Sequence, residues 1–130
     1  MATYLLDSSI IIDTLNGKRG RHILLGELLR HGHLLACCSV NVTEVYAGMK
    51  PSEAARTDEF LRSLEYYDVT WEIARRAGLL KRDYARRGIT LALGDATIAA
   101  VALTNRLPLL TDNVRHYPMK ELEFYPLPQA

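Results

Sequence analysis

Short apolar runs alternate along this chain with longer stretches of helical spacing, and the alternation limits the chain to few folds. Runs too short to be helices lie at 3–7, 34–40, 66–70 and 107–111, and a possible fifth lies at 122–125. Helical spacing fills the intervals between them. Because strands that alternate with helices build parallel sheets covered on both faces, we expect an α/β fold with a central, mostly parallel sheet of four to five strands.

The predicted helices are bounded by caps, prolines and glycines. The first runs from Ser8 or Ser9 to about Gly17, the second covers 20–31, and the third runs from Asn41 or Thr43 to Met49. The fourth runs from Pro51 and Ser52 to about Leu64, the fifth covers 71–87, and the sixth begins at Gly94-Asp95. Ser8 and Ser9 are suited to cap the first helix, since a hydroxyl can accept a hydrogen bond from a free backbone N–H. The proline-containing tail at 126–130 is expected to fray.

Length and composition predict one soluble domain over residues 1–130. A chain of 130 residues can bury a single core, and 48% hydrophobic with 24% charged residues is ordinary for a globular protein. No apolar run approaches the roughly 20 residues that a membrane span requires. The first residues lack the basic and apolar segments of a secretory signal, so the expected location is the cytoplasm.

The cationic residues give a first indication of a partner. The net charge is only +1, which excludes a polycation, but the cations comprise twelve arginines and four lysines. Arginine recognises phosphate through its planar, two-pronged guanidinium group.

The two cysteines, Cys37 and Cys38, are adjacent within a predicted strand. Neighbouring strand residues point to opposite faces of a sheet, whereas disulfide frameworks and zinc sites use spaced partners. We therefore expect both thiols to be buried and structural.

Four acidic residues gather at one predicted edge of the sheet. Asp7 directly follows the first strand and Asp112 follows the fourth, while Glu44 and Asp95 lie in the first turns of helices that begin at the same edge. Function in open parallel sheets gathers outside the carboxyl ends of the strands. Since neighbouring carboxylates resist joint ionisation, a divalent cation is the natural counter-charge, and oxygen ligands favour Mg²⁺ or Mn²⁺ over zinc.

Each acidic residue also has a plain structural interpretation. Asp95 follows a glycine and could be a helix cap, Glu44 could be a solvated helix residue, and Asp112 could be a turn residue. Asp7 has no such explanation in its sequence neighbourhood. The shared edge strengthens the functional interpretation of all four.

The chain resembles PIN-domain ribonucleases of the VapC toxin type over essentially its whole length. The segments LLDSSIIID, SVNVTEVYAG, LGDATIAAVAL and LLTDNVRHY resemble four motifs of that family, in order and with family-like spacing. The resemblance implies a three-layer α/β/α PIN-like domain and a metal-dependent endoribonuclease that uses Mg²⁺ or Mn²⁺. It also implies that Asp7, Glu44 and Asp95 are metal ligands and catalytic residues.

The fourth motif departs from the family pattern. Relatives commonly carry Asp or Asn two positions after the threonine, which is Asn113 here, whereas the acidic residue is Asp112, one position after Thr111. We assign Asp112 to the metal and catalytic set and leave Asn113 as the alternative. Thr111 and Ser8 match hydroxyl positions that support the ligands.

The resemblance also implies partners. These are an RNA substrate (tRNA, rRNA or mRNA), a cognate antitoxin that blocks the site, and a second copy in a homodimer. Candidate RNA contacts are Arg82, Arg86, Arg87 and Arg115, with His116 in a structural or substrate-side role. Candidates for the antitoxin or dimer surface, or alternatively for the core, are Tyr46, Met49, Phe60 and Leu61.

Other functions remain open at this stage. A Mg²⁺-dependent phosphatase could use Asp7 as its nucleophile, although that chemistry favours a second Asp two residues on, where this chain has Ser9. A receiver-type phosphoacceptor domain is another alternative. It normally needs adjacent acidic residues near its first strand and a lysine after its last strand, and this chain has neither at those places. A PIN-fold protein that has lost catalysis and only binds RNA or a partner is the remaining alternative.

Overall fold

Four of the five apolar runs pair in parallel to form one sheet. The computed structural model describes residues 1–127, with strands β1 (Thr3–Leu6), β2 (Leu34–Cys38), β3 (Glu65–Tyr67) and β4 (Leu109–Leu110). Their order across the sheet is β3-β2-β1-β4, and every pairing is parallel. The predicted fifth strand is reduced to one bridge between Leu109 and Phe124. The last three residues of the tail that was expected to fray lie outside the described part.

Six α-helices occupy the intervals where helical spacing predicted them. They are α1 (Ser8–Leu15), α2 (Arg21–Arg30), α3 (Ser39–Ala47), α4 (Ala54–Ser63), α5 (Trp71–Arg86) and α6 (Leu93–Asn105). Two further turns, Pro51–Glu53 and Val114–His116, are 3-10 helices. Pro51 therefore begins a 3-10 turn that leads into α4, since its fixed φ suits a first turn and the N–H it lacks would have no partner within the helix.

The residue that caps α1 differs from the prediction. Asp7, and not Ser8 or Ser9, is the N-cap, and its Oδ1 accepts a hydrogen bond from the Ser8 backbone N–H at 2.8 Å. Asp7 has extended backbone angles at the last position before the helix, where a short carboxylate reaches the free N–H groups. The carboxylate that looked unexplained in sequence thus links β1 to α1.

Alternating strand residues feed two separate cores, one on each face of the sheet. Leu5, Ala36, Cys38 and Leu109 pack with residues of α5 and α6. Their neighbours Leu6, Leu35, Cys37 and Leu110 pack with residues of the other four helices. This division produces the expected helix–sheet–helix layering.

The cysteine prediction is confirmed. Cys37 and Cys38 are free and buried, and they belong to different cores. Burial, and then the neighbouring Cys38, raises the pKa of Cys37 to about 11, so this thiol is protonated at neutral pH and is a poor nucleophile.

The residues proposed for a partner surface are less exposed than that interpretation required. Leu61 is a core residue, and Tyr46 and Phe60 are half-buried against the same core, while Met49 is half-buried. The core alternative therefore holds for Leu61.

The strand order places a switch point beside β1. The chain leaves β1 for β2 and β3 on one side and returns through α5 and α6 to β4 on the other. In open parallel sheets, such a reversal opens a crevice at the carboxyl ends of the two strands that flank it. Asp7 and Thr111, the residues after β1 and β4, lie at this crevice. No helix within residues 1–127 is long and apolar enough to cross a bilayer.

Candidate active site

Asp7 is held at the switch point by hydroxyl groups. Pairing of Leu5 with Leu109 and Leu6 with Leu110 brings the next residues of the two strands together. Thr111 Oγ1 donates a hydrogen bond to Asp7 Oδ2 at 2.7 Å, and Ser9 Oγ lies 3.4 Å from the same oxygen. The Asp7 residue is only 6% exposed. A buried carboxylate is thereby provided with donors that compensate for lost water.

Glu44 reaches the same edge from α3, where it is the sixth residue and thus lies in the second turn. Ser8 Oγ donates to Glu44 Oε1 at 2.6 Å and accepts from Asn41 Nδ2 at 3.0 Å. Asn41 is fully buried, and its Oδ1 accepts the Cys38 backbone N–H at 2.8 Å. A chain of hydrogen bonds therefore links the end of β2 to Glu44. The sequence prediction missed Asn41, whose only signal was an amide among apolar residues at a helix start.

Asp95 is the third residue of α6, and the N-cap of that helix is Ala92. The interpretation of Asp95 as a helix cap is therefore wrong. Tyr117 donates a hydrogen bond to Asp95 Oδ1 at 3.3 Å, and His116 Nδ1 lies 3.6 Å from Oδ2. Burial, and next the charge of Asp7, raises the pKa of Asp95, with a smaller contribution from Glu44. The negative charges of Asp7 and Glu44 therefore both act on the Asp95 carboxyl group.

Glycine at position 94 keeps room for the Glu44 carboxylate. A Cβ on Gly94 would stand 3.1 Å from Glu44 Oε2, closer than side chains normally pack. The Glu44 carboxylate therefore lies against the first turn of α6, which also carries Asp95.

Tyr117 lies between two of the carboxylates and is a second residue that the sequence prediction missed. The residue is 2% exposed, its hydroxyl donates to Asp95 Oδ1, and it is near enough to Asp7 for the charge of that carboxylate to act on the phenol. Burial, followed by the charges of Asp7 and Asp95, raises the pKa of Tyr117 well above its ordinary value. The signal in sequence was the tyrosine at the end of the fourth motif, LLTDNVRHY.

The structure places Asp112 and Asn113 in different surroundings. Both Asp112 oxygens bind the Arg21 guanidinium, at 2.5 and 3.2 Å, and Arg19 lies 3.9 Å away. Asn113 instead donates its backbone N–H to Thr111 Oγ1 at 2.9 Å, and its amide Nδ2 lies 3.5 Å from Ser9 Oγ. Asn113 therefore adjoins the residues that hold Asp7, while Asp112 is engaged by arginine.

Cationic and apolar groups border the carboxylates. A cavity of about 250 Å³ beside Asp95 is lined by Arg115, His116 and an apolar wall that includes Ile89 and Leu91. The arginines of α5 are exposed. Arg82 bonds its neighbour Asp83, and Arg87 lies over the Tyr84 ring at 4.0 Å, whereas no partner is recorded for Arg86 among the described residues.

The donor chemistry fits a hard divalent cation, since the side chains are carboxylates supported by hydroxyls and amides. Within residues 1–127, no three His, Cys, Asp or Glu side chains already stand at distances that suit a metal ion. Asp7 and Asp95 are buried or half-buried and hydrogen-bonded. Glu44 is exposed, so its rotatable side chain is the member free to adjust.

The sequence matches the PIN domain family over residues 4–122, and the chain belongs to that family. Over 117 residues it is 38% identical to ribonuclease VapC19 of Mycobacterium tuberculosis, covering 88% of this chain and 92% of that protein.

Solved structures confirm the expected three-layer PIN-like fold. VapBC2 from Rickettsia felis, bound to a DNA fragment from its promoter, superposes with a TM-score of 0.81 at 24% identity, covering 95% of this chain and 97% of the other. A toxin–antitoxin complex from Klebsiella pneumoniae has a TM-score of 0.74 at 27% identity and covers 93% and 99%.

The raised pKa of Asp95 generates a stability prediction. The folded protein holds the Asp95 proton more tightly than the unfolded chain, so the contribution of Asp95 to the free energy of unfolding falls as pH rises above the ordinary value of 3.8. We expect Asp95→Asn to be more stable than wild type at neutral pH in metal-free buffer, and the difference to vanish as pH falls below that value. Urea unfolding across this range measures it.

Asp83→Asn, at an exposed position on α5, is the matched control and should change stability by less than about 0.5 kcal/mol. An Asp95→Asn protein that is less stable than wild type at neutral pH would contradict the prediction.

Proposed function

We propose that this protein is the ribonuclease toxin of a toxin–antitoxin pair, and that it hydrolyses RNA phosphodiester bonds with Mg²⁺ or Mn²⁺. The observation that carries the proposal is the convergence of Asp7, Glu44 and Asp95, from three separate elements, at the switch point of a PIN domain. Similarity to a VapC ribonuclease supports RNA as the substrate.

Asp7, Glu44 and Asp95 are the residues that would hold the cation. When bound, a divalent cation lowers the pKa of its water ligand and stabilises charge on the phosphate oxygens. The protein supplies orientation: Thr111 holds Asp7, and Ser8 holds Glu44. Partners of this kind fix the direction of ligand lone pairs and so favour one geometry.

In this proposal Asn113 is the fourth member of the metal-binding set, and Asp112 has a structural role through its ion pair with Arg21. Asn113 contacts Thr111 and Ser9, which in turn contact Asp7. Asp112 neutralises Arg21 and joins the start of α2 to the loop after β4. The charge of Asp112 is already balanced by the Arg21 guanidinium, whereas Asp7 is held by neutral donors.

RNA would approach the carboxylates across cationic groups. Arg115 lines the cavity beside Asp95, so it is placed to contact a phosphate near the reacting one. Arg82, Arg86 and Arg87 are exposed along α5 and would contact more distant phosphates. The apolar wall of the cavity suits a base, since every base has a flat apolar face.

The antitoxin would cover apolar surface on the α1–α4 side. A groove of about 400 Å³ between α2 and α4 is lined by Leu25, Leu29, Leu34 and Phe60 among others. Structural neighbours are toxin–antitoxin complexes, which supports this partner. The homodimer stays a prediction.

A phosphatase that uses Asp7 as nucleophile fits the geometry poorly. That chemistry uses a second acid two residues after the nucleophile, and here the residue at that position is Ser9, whose hydroxyl lies 3.4 Å from Asp7 Oδ2. The alternative of a PIN-fold protein without catalysis is decided by the assays below.

Purified protein should cleave RNA only when Mg²⁺ or Mn²⁺ is present, and Asp7→Asn should lower the rate about a hundredfold or more because a ligand charge is lost. The measurement is cleavage of labelled RNA with a metal series and with chelator. Asp68→Asn, at an exposed position beyond β3, is the control and should cleave like wild type. Cleavage by Asp7→Asn at the wild-type rate would refute the role of Asp7.

The fourth position is tested by a pair of neighbouring variants. Asn113→Ala should lower the cleavage rate about tenfold or more while leaving the fold intact, because Thr111 and Ser9 lose a partner beside Asp7. Asp112→Asn should keep the rate within about threefold but lower the free energy of unfolding by about 1–3 kcal/mol, because Arg21 loses its charged partner. The measurements are cleavage rates and urea midpoints of both variants. A slow Asp112→Asn beside an Asn113→Ala that cleaves at the wild-type rate would make Asp112 the ligand.

Gly94→Ala should weaken cleavage because the new Cβ, 3.1 Å from Glu44 Oε2, shifts that oxygen by a few tenths of an ångström beside Asp95. Loss of a positioned carboxylate predicts a decrease of about tenfold at limiting metal, with recovery when metal is raised. Gly78→Ala is the matched control: its Cβ meets nothing within 4 Å, and it should stabilise α5 by about 0.5–1 kcal/mol without changing the rate. Equal rates for Gly94→Ala and wild type at all metal concentrations would show that Glu44 is dispensable in this position.

A further inference from the structure

The Tyr117 hydroxyl occupies an unusual place for a buried phenol. It donates to Asp95 Oδ1 at 3.3 Å and lies beside the Asp7 carboxylate, although these residues come from different elements. Within residues 1–127, no other tyrosine is recorded between two carboxylates of the proposed metal set. A phenol has a single proton to donate, so it cannot satisfy both acids in full.

The position of the hydroxyl is determined by packing of the ring. Tyr117 belongs to the core between the sheet and α5–α6, together with Met119 and Leu122. Its backbone N–H donates to the Val114 carbonyl at 3.0 Å, which connects it to the 3-10 turn Val114–His116. Phenylalanine would fill the same space, so packing alone does not account for the oxygen.

The hydroxyl has a distinct use at this point. Asp7 already receives hydrogen bonds from the Ser8 backbone and Thr111, so its orientation is set from the sheet side. Asp95 lies in the first turn of α6, and within residues 1–127 its hydrogen-bond donor is the Tyr117 hydroxyl. Tyr117 provides the Asp95 carboxylate with a donor that the core holds in place, close to the Asp7 carboxylate.

We propose that Tyr117 is a positioning residue that presets the Asp7 and Asp95 carboxylates for a divalent cation. This inference rests on the proposed function, because it assigns a role toward the metal of that same site. The buried ring fixes the position of the hydroxyl, and the hydroxyl orients the carboxylate that it binds. Tyr117 does not touch the reacting atoms in this role.

The test is Mn²⁺ affinity of Tyr117→Phe, measured by electron paramagnetic resonance of the free ion. Loss of an orienting partner to metal ligands predicts an apparent Kd about tenfold higher than wild type. Tyr84→Phe is the matched control, since Tyr84 is also buried and its hydroxyl reaches only the Pro118 carbonyl, at 3.4 Å. Its Mn²⁺ affinity should equal that of wild type. Unchanged or tighter binding by Tyr117→Phe would overturn the inference.

Kinetics separate positioning from general damage. At saturating Mn²⁺, Tyr117→Phe should regain the kcat of wild type with an unchanged KM for RNA, because only metal occupancy is impaired. A kcat deficit that excess metal does not restore would overturn the positioning role.

A measurement on the wild-type chain covers the case in which the variant fails to fold. The ring Cζ resonance of Tyr117 should shift with Mg²⁺ occupancy, while that of Tyr84 stays in place. An unmoved Tyr117 resonance at saturating Mg²⁺ would refute the inference.

The outcomes distinguish this inference from the proposed function. If wild type binds Mn²⁺ and cleaves RNA but Tyr117→Phe binds equally well, only the inference fails. If wild type binds Mn²⁺ without cleaving RNA and Tyr117→Phe binds about tenfold more weakly, the inference stands and the ribonuclease proposal falls. If wild type binds no Mn²⁺, both are refuted.

Discussion

The parallel pairing of β1 with β4 is the constraint on which the site depends. β1 lies between β2 and β4, and the chain reaches β4 only after building the other side of the sheet. The pairing sets Asp7 beside Thr111, residues 104 positions apart, and buries both. A carboxylate at that place would be costly without donors, and the end of β4 supplies one.

Clustering of negative charge opposes folding, and the structure offsets it with hydrogen bonds. The pKa of Asp95 is raised by burial and by Asp7, so the ionised site is strained at neutral pH. Ser8, Thr111 and Tyr117 each donate to one of the acidic side chains. Hydrogen bonds to charged groups typically contribute about 1.5–3 kcal/mol each, which offsets part of this cost. Such conflict is usual where function, and not stability, determines the residues.

The spacing of apolar residues along the chain predicted most strands and helices but few of the side-chain contacts between them. The strands and helices follow from alternation of apolar runs and helical spacing, and the opposite orientation of Cys37 and Cys38 follows from the two-residue period of a strand. The fifth strand was overestimated because a short run such as 122–125 forms only one bridge at the sheet edge. The cap of α1 was misassigned because Asp7 was considered only as a strand end, and one residue can serve both elements.

The sequence by itself determined the class of fold, because apolar runs and helical spacing alternate along the chain, and its four motifs carried the resemblance to the PIN domain family. It also predicted that Asp7, Glu44 and Asp95 share one edge of the sheet. Only the tertiary structure decided which neighbour each side chain contacts. Arg21, from the start of α2, engages Asp112, while Asn113 turns toward Ser9. Tyr117 enters the site from the core. Such contacts depend on where distant segments come to lie, because a side chain bonds what is nearest in space and not what is nearest in sequence.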